Sequence, residues 1–345
     1  MKKTLALGLV AATSALATVS VGTAASLTGS GSSFVYPLFS KVFSEYGKSG
    51  DTVNYQSVGS GAGQKALKDR VVDFAASDVP IPEADVAGYP GKVVTIPAAM
   101  GAVVISYNVP GVDANLKFSG AVLADIYLGK TKLWNDAALV KLNPDVKLPA
   151  LPITVAHRSD GSGTTGVFTD FLGKVSSEWK TKVGSATAVQ WPTGIGAKGT
   201  DGVSGVVKST PGAIGYIELT YALNNKIDFG LVQNRSGAFV KPSIAGVQAA
   251  VANVVIPASW ITSLTNAAGA ATYPISTFSY ALFYQEQKYG SRTADQAKAL
   301  KKMLTYVVTT GQGYSEALYY APLPASAQTR ARALIASLTF DGKKF

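Results

Sequence analysis

The segment "PITVAHRSDGSGTTGVFTDFL" at residues 152–172 joins three short patterns that together indicate the fold class. The apolar run "PITVAH" predicts a buried strand, and "TTGVFTDFLGKVSSEWK" (residues 164–180) predicts a helix. Between them lies a loop of glycine and hydroxyl residues. A strand that leads through such a loop into a helix is the repeating unit of α/β folds with parallel sheets.

Strand and helix patterns alternate in the same way along most of the chain. Further helices are predicted within residues 32–50, 63–70 and 295–318, and Pro37 falls in the first turn of the first of them. The further predicted strands are "SLTGSG" (26–31), "DTVNYQSV" (51–58), "VVDFAASD" (71–78), two runs within "VVTIPAAMGAVVISYN" (93–108), "GAIGYIEL" (212–219) and "FSYALFYQ" (278–285). We therefore expect two α/β lobes, with a ligand cleft formed by loops at the strand ends.

Three loops of this kind share one composition: "GSGSSF" (29–34), "GSGAG" (59–63) and "DGSGTT" (160–165). Each follows a predicted strand and precedes a helix, whose first N–H groups are unpaired and carry a partial positive charge. The alternative is simple N-capping by serine. Three such loops in one chain favour a shared site for a small anion, and none of them matches a nucleotide-binding loop.

Arg158 and Asp160 stand at the entrance to the third loop. The guanidinium of Arg158 carries a permanent positive charge and a planar fork of donors, and the carboxylate of Asp160 can hold that fork in place. The alternative is a surface ion pair that contributes little. The position beside a glycine loop favours anion binding.

Asp78 closes the apolar strand "VDFAASD" and would repel an anion bound beside it. A carboxylate is useful there only if the ligand has a proton to donate. Hydrogen phosphate has one near neutral pH and sulfate has none, so the site would discriminate by several kcal/mol, on the order of one lost charge-assisted bond plus a repulsion. The alternative is that Asp78 only caps a turn before Val79 and Pro80.

Composition excludes several kinds of chemistry. The 345 residues contain no cysteine and one histidine, which excludes disulfides, thiolate metal sites, iron–sulfur clusters, a cysteine nucleophile and a multi-histidine metal site. No cofactor and no metal are predicted. The formal net charge is +10, but the lysines are scattered and no nucleic-acid motif occurs, so nucleic acid is not an expected partner.

The N-terminus has the three parts of a secretory signal peptide. Lys2 and Lys3 are followed by an apolar run from Leu5 to about Val21 and by small residues at 23–25. A membrane anchor is the alternative, but the run is short and interrupted by hydroxyl residues. We expect residues 1–25 to be removed and the remainder to be exported.

An exported hydrolase is a rival interpretation, because His157 and Ser162 are close in sequence. However, neighbouring residues of a strand point to opposite faces, so His157 faces away if Arg158 faces the ligand. The Gly-x-Ser-x-Gly elbow of serine hydrolases does not occur around Ser162. Metal phosphatases need clusters of His and Asp, which this sequence does not offer. The sequence favours a binding protein over an enzyme.

The chain resembles the periplasmic phosphate-binding proteins of high-affinity phosphate ABC importers. The resemblance covers nearly all of the chain after residue 25, in family order. The segments that carry it are "SLTGSGSSF", "VNYQSVGSGAG", "VDFAASDVP", "DIYLGKTKLWND", "HRSDGSGTTGVF", "EWKTKVG", "WPTGIGAKGTDGV" and "PGAIGYIE".

The resemblance implies a set of phosphate-binding residues. In this family the residue at Ser33 is often threonine, which keeps the hydroxyl, and the second loop commonly has a further serine after the one at Ser60. Asp160 is expected to orient Arg158. The residues that the resemblance assigns to phosphate are Ser32, Ser33, Phe34, Ser60, Asp78, Arg158, Ser162, Gly163 and Thr164.

The resemblance also implies an architecture and partners. It predicts the two-lobed type II periplasmic binding protein fold, with a hinge and a ligand cleft between lobes. Lobe one would comprise residues 26–107 and 278–345, and lobe two residues 108–277. The expected partners are inorganic phosphate and an ABC permease with its ATPase, for a monomer in the periplasm. A binder of another protonated oxyanion such as arsenate, a phosphatase-like hydrolase and an adhesin remain as alternatives.

Overall fold

The computed structural model describes residues 25–112 and 115–345, so nearly all of the predicted signal peptide lies outside the described residues. None of the helices in these two ranges is long and apolar enough to cross a membrane. The strands are β1 (Ser26–Gly31), β2 (Thr52–Ser57), β3 (Phe74–Ser77), β4 (Val93–Tyr107), β5 (Lys117–Phe118), β6 (Thr154–Arg158), β7 (Ile195–Ala197), β8 (Ala213–Glu218), β9 (Asp228–Phe229), β10 (Leu231–Gln233), β11 (Phe239–Val240), β12 (Ser276–Tyr284), β13 (Thr339–Phe340) and β14 (Lys343–Lys344).

Helices connect most of the strands that form the main sheet. The α-helices are α1 (Tyr36–Gly47), α2 (Ser60–Lys68), α3 (Glu83–Val86), α4 (Gly120–Tyr127), α5 (Ala137–Leu142), α6 (Gly163–Val175), α7 (Ser177–Lys182), α8 (Gly199–Ser209), α9 (Leu219–Asn225), α10 (Ile244–Ala252), α11 (Ala294–Val308) and α12 (Ala325–Ile335). Short 3₁₀ helices lie at Thr310–Tyr314 and Glu316–Leu318. The predicted α/β class is therefore confirmed.

The main sheet has the strand order β2-β1-β3-β12-β4-β8-β6-β7, with β9 also paired to β4. Strand β1 pairs in parallel with β2 and β3, and β6 pairs in parallel with β7 and β8. These two parallel groups are joined by β4, which is antiparallel to β12 over residues 93–102 and to β8 over residues 103–107. One long strand thus belongs to both halves of the sheet.

The prediction of two separate strands within residues 93–108 was wrong, because β4 runs without interruption from Val93 to Tyr107. Pro97, which lacks an N–H, does not end it. The register with β12 shifts between Ser279 and Tyr280, next to the pairing of Pro97 with Tyr280. A bulge accommodates proline in a strand, since it releases a local ladder bond.

The single helix predicted over residues 164–180 was also wrong in extent, because it is divided at Ser176 into α6 and α7. Ser176 has an extended backbone, and its hydroxyl accepts a hydrogen bond from the N–H of Trp179 at 3.2 Å. This local cap satisfies the start of α7 and directs the buried Trp179 inward.

Strand directions explain where a cleft forms. Strand β3 has the same direction as β4 and ends beside its first half, whereas β8 has the opposite direction and ends where Glu218 pairs with Val103. The carboxyl ends of the strands in both halves therefore converge over the middle of β4. Ligands of open α/β sheets bind outside the carboxyl ends of strands, so this is where a site is expected.

Candidate anion-binding site

Asp78 follows β3 and is only 3% exposed. Serine hydroxyls surround its carboxylate. The hydroxyl of Ser32 donates to it, with distances of 2.6 Å to Oδ1 and 2.8 Å to Oδ2, and that of Ser279 donates to Oδ1 at 2.7 Å. Ser60 Oγ lies farther away, 3.4 Å from Oδ2. A buried carboxylate with several donors is held in one orientation and retains free lone pairs for a ligand.

Burial raises the pKa of Asp78 to about 6, while hydrogen bonds from Ser32 and Ser279 and the charge of Arg158 oppose the rise. The carboxylate is therefore mostly ionised at neutral pH. An ionised carboxylate accepts hydrogen bonds and cannot donate them. The carboxylate of Asp78 can therefore accept a hydrogen bond from a ligand oxygen that carries a proton, and it repels a ligand oxygen that carries none.

Arg158 ends β6 and is 4% exposed. Its Nε donates to Asp160 Oδ1 at 2.7 Å, and one terminal nitrogen donates to Oδ2 at 2.5 Å. The other terminal nitrogen lies 3.4 Å from the hydroxyl of Thr200. Burial alone would raise the pKa of Asp160, but the bonds from Arg158 hold it below its usual range. Two hydrogen bonds to Asp160 thus hold the guanidinium of Arg158.

The second and third glycine loops touch each other. The N–H of Gly61 donates to the carbonyl of Gly161 at 2.8 Å. A Cβ at Gly163 would lie 2.4 Å from Ser60 Oγ and 2.5 Å from Asp78 Oδ2, which is too close for any side chain. Glycine at this position therefore lets the start of α6 approach Asp78.

The third loop leads directly into the start of α6. The helix begins at Gly163, and the hydroxyl of Ser162 accepts from the N–H of Thr165 at 3.1 Å. Ser162 is therefore an N-cap, which was the alternative for all three loops. Capping uses the oxygen as acceptor, so the hydroxyl proton of Ser162 can still be donated to a ligand.

The first glycine loop lies across from the third. Ser33 is 3% exposed, and its hydroxyl oxygen is 3.0 Å from that of Thr200. Phe34 is fully buried, and its carbonyl accepts from the hydroxyl of Tyr320 at 2.5 Å. These contacts fix the backbone of the loop beside Asp78. The structure thus gathers all the residues that the sequence assigned to phosphate around one small region.

Sequence reasoning missed three participants: Ser279, Thr200 and Glu218. Glu218 ends β8 and is 1% exposed, and it accepts from Thr164 at 2.8 Å and from Thr200 at 3.1 Å. One signal was available, because Glu218 is an acidic residue at the end of an apolar strand, as Asp78 is. Ser279 gave no such signal, because its role depends on the pairing of β12 beside β3.

His157 is separated from this cluster. Its ring stacks on Trp191, with ring centroids 4.8 Å apart and planes inclined by 16°. Burial lowers the pKa of His157. Among the described residues, no group of His, Asp and Glu is arranged to hold a metal ion.

Comparisons with known proteins define the class first. The model of the PBP superfamily domain matches residues 17–310. The phosphate-binding protein PstS of Xylella fastidiosa (strain 9a5c) is 40% identical over 306 residues, which cover 86% of this chain and 81% of that protein. PstS of Methanocaldococcus jannaschii is 38% identical over 279 residues, covering 75% and 72% of the two chains. This chain belongs to the PstS family of phosphate-binding proteins.

Solved structures confirm the two-lobed type II fold. A structure described as a high-affinity periplasmic phosphate-binding protein (PfluDING) bound with phosphate has a TM-score of 0.73 at 22% identity, covering 92% of this chain and 96% of that one. A phosphate-binding protein from Stenotrophomonas maltophilia has a TM-score of 0.68 at 20% identity, covering 90% and 94%.

Proposed function

We propose that this protein captures inorganic phosphate with high affinity outside the cytoplasmic membrane and delivers it to an ABC importer. Membership of the PstS family supports this function. The observation that carries it is the buried pair of Asp78, which accepts, and Arg158, which donates, at the meeting point of the glycine loops.

Phosphate would be held by donors from both halves of the sheet. Arg158 would supply charge, the start of α6 would supply N–H groups and hydroxyls, and the loop after β1 would supply Ser33 and the N–H of Phe34. Each hydrogen bond to a charged group contributes about 1.5–3 kcal/mol, so a set of them supports micromolar or tighter binding after ordering costs. The residues proposed as ligands are Ser32, Ser33, Phe34, Ser60, Asp78, Arg158, Ser162, Gly163 and Thr164.

Asp78 would set the specificity. Hydrogen phosphate donates its proton to the carboxylate, whereas sulfate can only present lone pairs to it. Arsenate is protonated as phosphate is, so the same carboxylate accepts it. The protein would therefore discriminate between oxyanions more by whether they carry a proton than by their size.

Delivery would follow from closure without any covalent step. Residues 26–107 with 278–345 would form one lobe and residues 108–277 the other, and bound phosphate would bridge them. A permease coupled to its ATPase would then distinguish the closed form from the open form. We propose that the chain acts as a monomer in the periplasm after cleavage of the signal peptide, and that it is not an enzyme.

Isothermal titration of the chain lacking residues 1–25 tests the proposal. Phosphate should bind with a Kd in the micromolar range or below, arsenate should bind detectably, and sulfate should bind far more weakly. Absence of heat with all three anions would refute an oxyanion carrier. Equal affinity for phosphate and sulfate would refute the role given to Asp78.

A further inference from the structure

Glu218 is a second buried carboxylate at the site, and its two oxygens differ. Oε1 accepts hydrogen bonds from the hydroxyls of Thr164, at 2.8 Å, and Thr200, at 3.1 Å. Oε2 is buried and has no hydrogen-bond partner among the described residues. An unpaired oxygen of a buried carboxylate is costly while the group is charged, and the cost falls when the group is neutral, so this environment favours uptake of a proton by Glu218.

At a pH above its pKa of about 7, Glu218 is mostly ionised, and the ionised form fixes the direction of the hydrogen bonds. A carboxylate can only accept, so Thr164 and Thr200 both point their hydroxyl protons at it. Because a hydroxyl has a single proton, Thr200 cannot also donate to Ser33, whose oxygen is 3.0 Å away. Ser33 must then donate to Thr200. The protons of all three hydroxyls are directed away from a bound anion.

The charge of the site also disfavours an ionised Glu218 in the complex. Asp78, Asp160 and Glu218 are carboxylates around one guanidinium, that of Arg158, which already holds Asp160. A phosphate dianion adds two further negative charges to this buried region. Like charges at short range in a poorly solvated site favour the neutral form of the group that can take a proton.

The positive charge of Arg158 on β6 faces Glu218 and partly offsets the negative charges of the site. Tyr221 on α9 and Tyr320 before α12 also face Glu218, and Val103 on β4 pairs with it. The elements α6 and α8 contribute the two threonine hydroxyls. Burial raises the pKa of Glu218 to about 7, and Arg158 and the two hydroxyls oppose the rise.

We propose that Glu218 takes up one proton from solvent when phosphate binds, and that this proton reverses the hydroxyl chain. The protonated Glu218 donates to Thr200, Thr200 donates to Ser33, and the hydroxyl of Ser33 donates to phosphate. The hydroxyl of Thr164 no longer has to donate to an ionised Glu218, so it can donate to the ligand as well. The inference rests on the proposed function, since it concerns the same ligand, and it makes Glu218 a positioning residue for two donors.

Titration calorimetry in several buffers of different ionisation enthalpy measures the proton directly. At about pH 8.5 free phosphate is mainly the dianion, and both Asp78 and Glu218 of the free protein are mostly ionised. We expect uptake of about one proton per phosphate bound. Above this pH, the Kd should rise about tenfold per pH unit.

The variant Glu218→Gln keeps the shape and carries no titrating group. It should bind phosphate at least as tightly as the wild type at about pH 8.5, with no proton uptake and no rise of Kd with pH. The variant Glu178→Gln changes a partly exposed glutamate that forms ion pairs with Lys130 and Lys182, and as the matched control it should bind phosphate as the wild type does. If Glu218→Gln and the wild type took up the same number of protons per phosphate bound, the proton acceptor would be a group other than Glu218, and the inference would be overturned.

A measurement on the wild type covers the case in which Glu218→Gln does not fold. The infrared difference spectrum on adding phosphate should gain a carboxylic acid band and lose carboxylate intensity. A wild type that binds phosphate without proton uptake and without that band overturns this inference alone. A wild type that does not bind phosphate refutes the proposed function itself.

Discussion

Asp78 and Glu218 are two buried carboxylates at strand ends on opposite sides of the middle of β4, and their surroundings differ. Both oxygens of Asp78 receive serine hydroxyls, whereas only one oxygen of Glu218 has donors, both of them threonines. Burial raises the pKa of Asp78 to about 6 and that of Glu218 to about 7. Burial raises the two pKa values by a similar amount, so the difference between the two carboxylates lies in the placement of their donors, which leaves one oxygen of Glu218 unpaired among the described residues.

The largest effect is expected from Arg158→Ala, which removes the cation that both carboxylates face. Loss of its charged hydrogen bonds should weaken phosphate binding by about 3 kcal/mol or more, which raises the Kd roughly a hundredfold or more. Asp160 would also lose its partner, so the melting temperature should be recorded beside the calorimetric Kd. A folded variant that binds phosphate as the wild type does would remove Arg158 from the site.

The pH dependence of stability should separate the two carboxylates. A raised pKa in the folded state means that the native protein holds a proton that the unfolded chain has lost, so stability falls as pH rises through that window. For Asp78 the window runs from about pH 4 to 6, with an effect on the order of 3 kcal/mol.

Urea unfolding of the phosphate-free protein across these pH values provides the measurement. Asp78→Asn should flatten the curve between about pH 4 and 6, and Glu218→Gln should flatten it up to about pH 7. Variant curves that run parallel to the wild-type curve over these ranges would contradict the shifted pKa values, because His157, whose pKa burial lowers, is present in all three proteins.

The close approach of the third loop to Asp78 is tested by Gly163→Ala. The new methyl group would overlap Ser60 Oγ and Asp78 Oδ2, so the loops must separate, and phosphate affinity should fall by about 2 kcal/mol, roughly thirtyfold. Gly205→Ala on α8 is the matched control, because its methyl group meets nothing within 4 Å. Equal Kd values for the two variants would show that the approach does not matter.

The smallest effect is expected from Ser279→Ala, which removes one donor from Asp78 and makes it more like Glu218. The pKa of Asp78 should rise further, and phosphate should bind about 1 kcal/mol more weakly, roughly fivefold. Binding measured between about pH 5 and 7 should show the loss growing toward low pH. An unchanged pH profile would mean that the serine does not stabilise the ionised form.

The sequence predicts the loops of the site and most of the fold because both depend on local patterns. Apolar runs and glycine–serine loops place Asp78 and Arg158 at strand ends without any knowledge of pairing. The continuity of β4 could not be read locally, because a bulge against β12 accommodates Pro97. The break at Ser176 depends on a cap that one residue of the predicted helix provides.

The sequence does not indicate Ser279 and Thr200, because their places in the site depend on contacts between segments that are distant along the chain. Ser279 reaches Asp78 across 201 positions, and Thr200 meets Ser33 across 167. Such pairings follow from the strand order, which local patterns do not contain. Glu218 differs, because an acid that ends an apolar strand carries the same local signal as Asp78.

Competition titration of phosphate against sulfate, on the wild type and on Asp78→Asn at neutral pH, tests most directly whether Asp78 accepts the ligand's proton. The wild type should prefer phosphate by a factor of roughly a hundred or more, and the amide, which can donate to either anion, should reduce that preference at least about tenfold. An Asp78→Asn protein with the wild-type preference would contradict the account.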